Sequence, residues 1–258
     1  MRSIVGVLCV LTFVACGDDD EANNSKPDAG DHDHAAGDHD EPAMLREVTC
    51  TDKSVTDLML FNEPATGKIR EEGKGDDFVT FIDATGGGMA ASESYLYARF
   101  TSKGLEKLDI TDEEAFESTD WEIAFRRYVI RLNSGVSGPG DVRGGRTAPA
   151  TVFGDLAEVP DSLEFRTEEY FIGDACELVS DGSGIGAPAT ALASFWTYQM
   201  CLQMTKNVYV LELPKKKHVK LEVLAYYTPE NQKLCDETGQ INLPSGAGNI
   251  RMQWAFLD

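Results

Sequence analysis

The sequence predicts an all-β protein: one antiparallel, sandwich-like domain with few short helices. Three observations carry this. The C-terminal run alternates, with Ile250, Met252, Trp254 and Phe256 set against Arg251, Gln253 and Ala255. That is the period of a strand with one apolar face. Two apolar runs, Val208 to Leu213 and Val219 to Tyr227, flank the charged turn Pro214-Lys215-Lys216-Lys217-His218 and read as a hairpin. Elsewhere short apolar segments are punctuated by Gly, Ser, Pro and Asn, and no repeat emerges at a fixed period.

Residues 1–16 read as a processing segment. Arg2 supplies a positive start, and Ile4 to Val14 is apolar but too short to span a bilayer as a mature helix. Phe13-Val14-Ala15-Cys16 resembles a bacterial lipobox, although Phe13 stands where an aliphatic residue is usual. The acids Asp18, Asp19 and Asp20 end the apolar stretch at that point. Acylation at Cys16 would anchor the mature chain by lipid. Residues 17–43 form a tether with ten acids, one base (Lys26) and no large apolar side chain that could build a core. Its Asp31-His32-Asp33-His34 and Asp38-His39-Asp40 runs read as solvated linker, because a metal would first have to order them.

Residues 44–258 then form a single domain of a size that one β-rich fold can fill. The chain carries −21, of which the tether holds −9; with Arg2 in the leader, residues 44–258 carry −13. That charge argues against nucleic acid and against electrostatic binding to anionic lipid, so membrane contact is expected through the anchor only. Four cysteines survive maturation: Cys50, Cys176, Cys201 and Cys235. Export and an even count predict two disulfides, with three connectivities open. The preferred pairing is Cys176–Cys201 with Cys50–Cys235, because the first bridge would staple a loop that otherwise looks loose.

Phe78 to Asp83 is a strand ended by Thr85-Gly86-Gly87-Gly88, and Tyr95 to Phe100 is the next. Thr111 with Glu114 three residues later predicts a cap for a turn or two of helix. Ala191 to Met204 is apolar and ambiguous between strand and short helix. Two loops are long: Ser134 to Ala150, rich in Gly and Arg, and Ser180 to Ala189. Loops of that length are more often functional or disordered than inert.

The stretch from Asp120 to Gly140 is the most distinctive. Trp121, Ile123 and Phe125 alternate at odd positions, and Tyr128, Ile130 and Leu132 at even ones. The switch of parity predicts a β-bulge near Arg126-Arg127 within one long strand. The loop Asn133 to Gly140 follows. This stretch resembles the HmuY family of haem-binding bacterial lipoproteins. So does a second segment, Asn207 to Leu211 followed after a turn by Lys220 to Tyr227. The resemblance runs roughly from Phe78 to the C-terminus.

The resemblance implies a HmuY-like β-rich domain that captures haem in an apolar cleft. It also implies an outer-membrane lipoprotein on the periplasmic or cell-surface side, passing haem to an outer-membrane transporter. Best-known members bind haem through histidines, but His218 is the only histidine of the domain. The resemblance therefore points to methionine donors in the interval before the Val-Tyr-Val strand. Met200 and Met204 lie there, with Trp196 and Tyr198 as rings to flank a porphyrin. The partner donor should lie between Asp155 and Asp174, where Tyr170 is the one side chain of suitable chemistry. Enzymatic motifs are absent: no nucleotide-binding glycine loop occurs, and His218 in a lysine-rich turn is a poor catalytic base. The alternative is a non-haem binding module or structural envelope lipoprotein of the same fold.

Overall fold

The computed structural model describes residues 45–73, 77–88 and 90–257. Cys16 and the tether with its His/Asp runs lie outside the described residues. In chain order the elements are α1 (Thr51–Asp57), β1 (Ile69–Glu71), β2 (Phe78–Asp83), β3 (Leu96–Thr101), β4 (Gly104–Leu108), β5 (Ile123–Arg126) and β6 (Val129–Leu132). There follow β7 (Arg143–Arg146), β8 (Phe171–Ile172), β9 (Glu177–Leu178), β10 (Trp196–Tyr198), β11 (Leu202–Met204), β12 (Val208–Glu212), β13 (His218–Ala225), α2 (Pro229–Thr238) and β14 (Asn249–Leu257). All strand pairs are antiparallel. They form a six-stranded sheet, β1-β2-β14-β13-β12-β7, a four-stranded sheet, β4-β3-β5-β6, and two small hairpins, β8–β9 and β10–β11.

The two large sheets share one core. Leu221, Ile250, Met252 and Trp254 of the first lie in one buried cluster with Leu96, Phe100, Phe125 and Ile130 of the second. Trp254 stacks on Phe78 at 4.2 Å and meets Phe100 edge-on at 4.9 Å, while its indole N–H donates to Thr80 Oγ1 at 2.8 Å. The outer faces are covered too. Val208, Val210, Ala255 and Leu257 pack on Phe153 and Leu156, and Tyr95, Tyr97, Trp121 and Ala124 pack on Ala115. A strand covered on both sides needs no polar face, which is why Val208 to Glu212 is buried throughout.

The expected β-bulge is corrected by the structure. β5 and β6 are the two arms of a tight hairpin, paired Ile123↔Leu132, Ala124↔Arg131, Phe125↔Ile130 and Arg126↔Val129. Partners across a two-residue turn have opposite parity yet share a face, so the alternation switches without an extra residue. The turn was hidden because Arg127, at φ 53°, takes the left-handed position where Gly or Asn is the usual signal.

The Gly/Arg loop is not irregular throughout: its Arg143–Arg146 portion is β7, paired to β12. Gly145 permits this because a Cβ there would come 2.9 Å from the Glu164 carbonyl oxygen. The part before it is packed rather than open. Asn133 donates to the Trp121 and Ser118 carbonyls at 2.8 and 3.0 Å and accepts from Gly140 N–H at 2.9 Å. Gly135 sits at φ +54°, with the Glu168 carbonyl where a Cβ would go. The cap read at Thr111 is present. Thr111 N–H donates to Glu114 Oε2 at 2.8 Å and Glu114 N–H to Thr111 Oγ1 at 3.2 Å. α2, capped by Thr228 and ended by Gly239 at φ 72°, was not foreseen.

The disulfides are Cys50–Cys176 and Cys201–Cys235, with Cα–Cα distances of 5.7 and 6.1 Å. The expected pairing of Cys176 with Cys201 and Cys50 with Cys235 is therefore corrected. Each bridge pins one small hairpin to a helix. Cys176, between β8 and β9, is tied to the N-terminus of α1, and Cys201, at the turn of β10–β11, to α2. Among the described residues no helix is long and apolar enough to cross a membrane.

Candidate functional site

The ambiguous Ala191–Met204 segment ends in the β10–β11 hairpin, paired Trp196↔Met204, Thr197↔Gln203 and Tyr198↔Leu202. Its loop is Gln199-Met200-Cys201, closed by Gln199 N–H donating to the Cys201 carbonyl at 3.0 Å. A three-residue hairpin loop calls for a left-handed residue, and Met200 takes that place at φ 69°. Met200 is 83 % exposed. A thioether that could fill a core instead stands in solvent.

The hairpin is rigidly held. Besides the Cys201–Cys235 bridge, Gln203 Nε2 donates to the Cys235 carbonyl at 2.9 Å, and Gln232 Nε2 to the Leu202 carbonyl at 3.0 Å. Met204 N–H donates to Asp236 Oδ1 at 2.9 Å and Leu202 N–H to the Tyr227 hydroxyl at 3.1 Å. These contacts fix the backbone that carries Met200, while its exposed side chain keeps its rotamer freedom.

Beside the hairpin lies a cleft of about 280 Å³, lined by Asp181, Gly182, Ser183, Ser194, Trp196 and Tyr198. Trp196 forms its inner wall, buried edge-on against Tyr128 at 5.7 Å with its N–H on the Tyr128 carbonyl at 3.1 Å. Tyr198 is half exposed. Only one of the two expected flanking rings is thus open to a ligand. The Ser180–Ala189 loop that forms the other wall is closed on itself. Ser180 bridges Pro188, and Asp181 N–H donates to the Ala187 carbonyl at 2.8 Å.

The other two expected donors sit elsewhere. Met204 belongs to the main buried core, opposite Trp196. Tyr170 is fully buried in a separate cluster with Leu58, Val136 and Phe171. Its hydroxyl donates to Ser137 Oγ at 3.1 Å, and Arg131 Nε donates to the same oxygen at 2.7 Å. Burial pushes the Tyr170 phenol up to about 12, against the pull of Arg131. Met200 and Met204 therefore share a hairpin, but only Met200 offers its sulfur to solvent, and Tyr170 lies apart from both. Sequence reasoning gave Tyr198 a stacking role alone, yet it is the exposed phenol of the cleft. Its partial exposure follows from strand pairing, which the ambiguous segment did not reveal.

His218 stands 3.6 Å from Glu212 and stacks on Phe165. Among the described residues no group of three or more His, Cys, Asp or Glu is placed to hold a metal ion.

Fold and site together define a two-sheet β-protein whose accessible thioether and phenol sit on a disulfide-pinned hairpin beside a small cleft. The chain belongs to the HmuY family: the family model described as HmuY protein matches residues 91–241. No curated protein matches it. Solved structures similar to it include a candidate lipoprotein of Bacteroides fragilis, at 14% identity and TM-score 0.43, covering 71% of this chain and 92% of that one. A candidate HmuY-like haem-binding protein of Bacteroides vulgatus matches at 15% identity and TM-score 0.41, over 69% and 91% of the two chains. The apo HmuY analogue of Tannerella forsythia matches at 15% identity and TM-score 0.40, over 74% and 97%.

Proposed function

We propose that the protein is a non-enzymatic, extracytoplasmic haem-binding lipoprotein, with Met200 as an iron ligand. The carrying observation is Met200 itself, 83 % exposed at the tip of a pinned hairpin whose strand β10 carries the half-exposed Tyr198. Family membership supports the haem class. In this reading residues 1–16 are the leader, Cys16 carries the lipid, residues 17–43 are the tether and residues 44–258 bind haem for an outer-membrane transporter. The cleft of about 280 Å³ lies at the small end for a ligand site, so haem entry would require the Asp181–Ser183 wall to move.

An absorbance titration with haemin tests the reading. The wild type should give a Soret shift, and affinity should rise on reduction because a neutral thioether favours ferrous iron. Met200→Ala should weaken binding by about tenfold or more, equivalent to at least about 1.4 kcal/mol. Met204→Ala should act less and Tyr170→Phe least, since both side chains are buried in the unliganded fold. No Soret shift in either redox state would sink the haem reading. The non-haem binding module would then take its place, a reading favoured by a cleft of about 280 Å³ whose lining does not include Met200.

The anchor has its own test. In detergent phase separation the wild type should enter the detergent-rich phase and Cys16→Ser the aqueous one. Recovery of both in the aqueous phase would refute acylation.

A further inference from the structure

A second and larger cleft, about 450 Å³, adjoins the first and is more polar. Arg146, Arg166, Ser162, Glu164 and Ser194 line it, and Ser194 also lines the Trp196–Tyr198 cleft. The two hollows are thus neighbours across one residue.

Backbone pairing places both arginines. Arg146 ends β7, opposite Tyr209 of β12. Arg166 exchanges backbone hydrogen bonds with Gly144, both at 3.0 Å, and its Nη2 donates to the Thr190 and Ala191 carbonyls at 2.7 and 3.2 Å. Both guanidiniums stand close enough to the Tyr209 hydroxyl to oppose the effect of its burial. Yet among the described residues neither is within ion-pair distance of a carboxylate, although Glu164 lines the same cleft. Glu168 is buried nearby and spends its two oxygens on backbone N–H groups of Leu132 and Ala191. On a domain carrying −13, these two exposed arginines line one cleft with no carboxylate of the described residues in ion-pair distance to neutralise them. Guanidinium is the side chain best shaped to take a carboxylate in paired hydrogen bonds.

We propose that the Arg146–Arg166 cleft receives a carboxylate of a ligand whose apolar body lies across Ser194 against Trp196 and Tyr198. The inference rests on the binding reading above for the ligand's body; the anion site stands on the two arginines alone.

The test titrates the purified full chain with haemin and with haemin dimethyl ester, which lacks free carboxylates. Wild type should bind haemin about tenfold tighter than the diester, the size of one charge-assisted contact. Arg146→Ala should lose most of that preference and leave diester affinity unchanged; Arg146→Lys should restore part of it. Arg146 is the chosen variant because Arg166 also holds backbone carbonyls, so its removal could loosen the fold. Equal affinity of wild type for haemin and diester, or an undiminished preference in Arg146→Ala, would overturn the anion site and leave the haem reading intact. If wild type binds neither porphyrin, the haem reading falls and citrate serves as the probe. A rise in Tm with citrate that Arg146→Ala abolishes supports the site as one for a free carboxylate, and no rise overturns it.

Discussion

Replacing Cys50 and Cys176 together by alanine is expected to destabilise the domain by about 5 kcal/mol, the loop-entropy cost for so long a closed loop. The bridge spans 126 residues of sequence, against 34 for Cys201–Cys235, whose removal should cost about 4 kcal/mol by the same relation. Local structure reinforces the order. The β8–β9 hairpin has only two ladder pairs, Phe171↔Leu178 and Ile172↔Glu177, and its cluster is completed by Cys50 and Cys176 themselves. A two-stranded ribbon of that length is not stable alone. Urea unfolding of the two double variants against wild type measures both costs. A loss below about 1 kcal/mol for the longer bridge would show that the cluster around Tyr170 holds without it, contrary to this account.

Raising the pH from about 4.5 to about 7 is expected to remove on the order of 3 kcal/mol of stability through Glu168 alone. Burial pushes its carboxyl up to about 7 from an ordinary 4.5, although Leu132 N–H, Ala191 N–H, Arg131 and Arg166 all favour the charged form. The native state therefore holds this proton more tightly than the unfolded chain. Glu168's stabilising contribution is complete below about 4.5, is lost as pH climbs through about 7, and is level above it. The charged and titratable groups around the carboxyl are Arg131 of β6, Arg166 and the neutral Tyr170. Glu168→Gln should flatten this part of the profile. Below about pH 5 it should cost about 1–2 kcal/mol, because the amide NH₂ must face one of two backbone donors at 2.8 and 2.9 Å, and this deficit should close and reverse as pH climbs through about 7. Chemical denaturation at pH 5, 6, 7 and 8 reads the slope, and an identical slope in wild type and variant would exclude Glu168 as its source.

Much of the fold was legible because it is written locally. The alternation at Ile250, Met252 and Trp254 became β14, and the Lys-rich turn became the link between β12 and β13. Thr111 and Glu114 found each other across three residues. Errors fell where a local signal was missing or a distant partner supplied the answer. Arg127 turns the β5–β6 hairpin without glycine, and Arg143–Arg146 becomes a strand because β12 offers it a free edge. The candidate site was legible by half. The Trp196–Met204 segment is the hairpin beside the cleft, but nothing in its spacing separated exposed Met200 from buried Met204 or showed that Tyr170 is buried on Ser137.

By itself the sequence determined the antiparallel β class, the distinctive Asp120–Gly140 stretch and the presence of four cysteines suited to two bridges. Side-chain period, turn chemistry and composition act over a few residues and need no knowledge of what lies alongside. The tertiary structure alone decided which cysteines meet, which methionine stands in solvent and that Arg146 and Arg166 share a cleft beside Trp196. Each of those depends on segments tens of residues apart being brought together when two sheets bury a common core, and burial and pairing are properties of that assembly rather than of any window of chain.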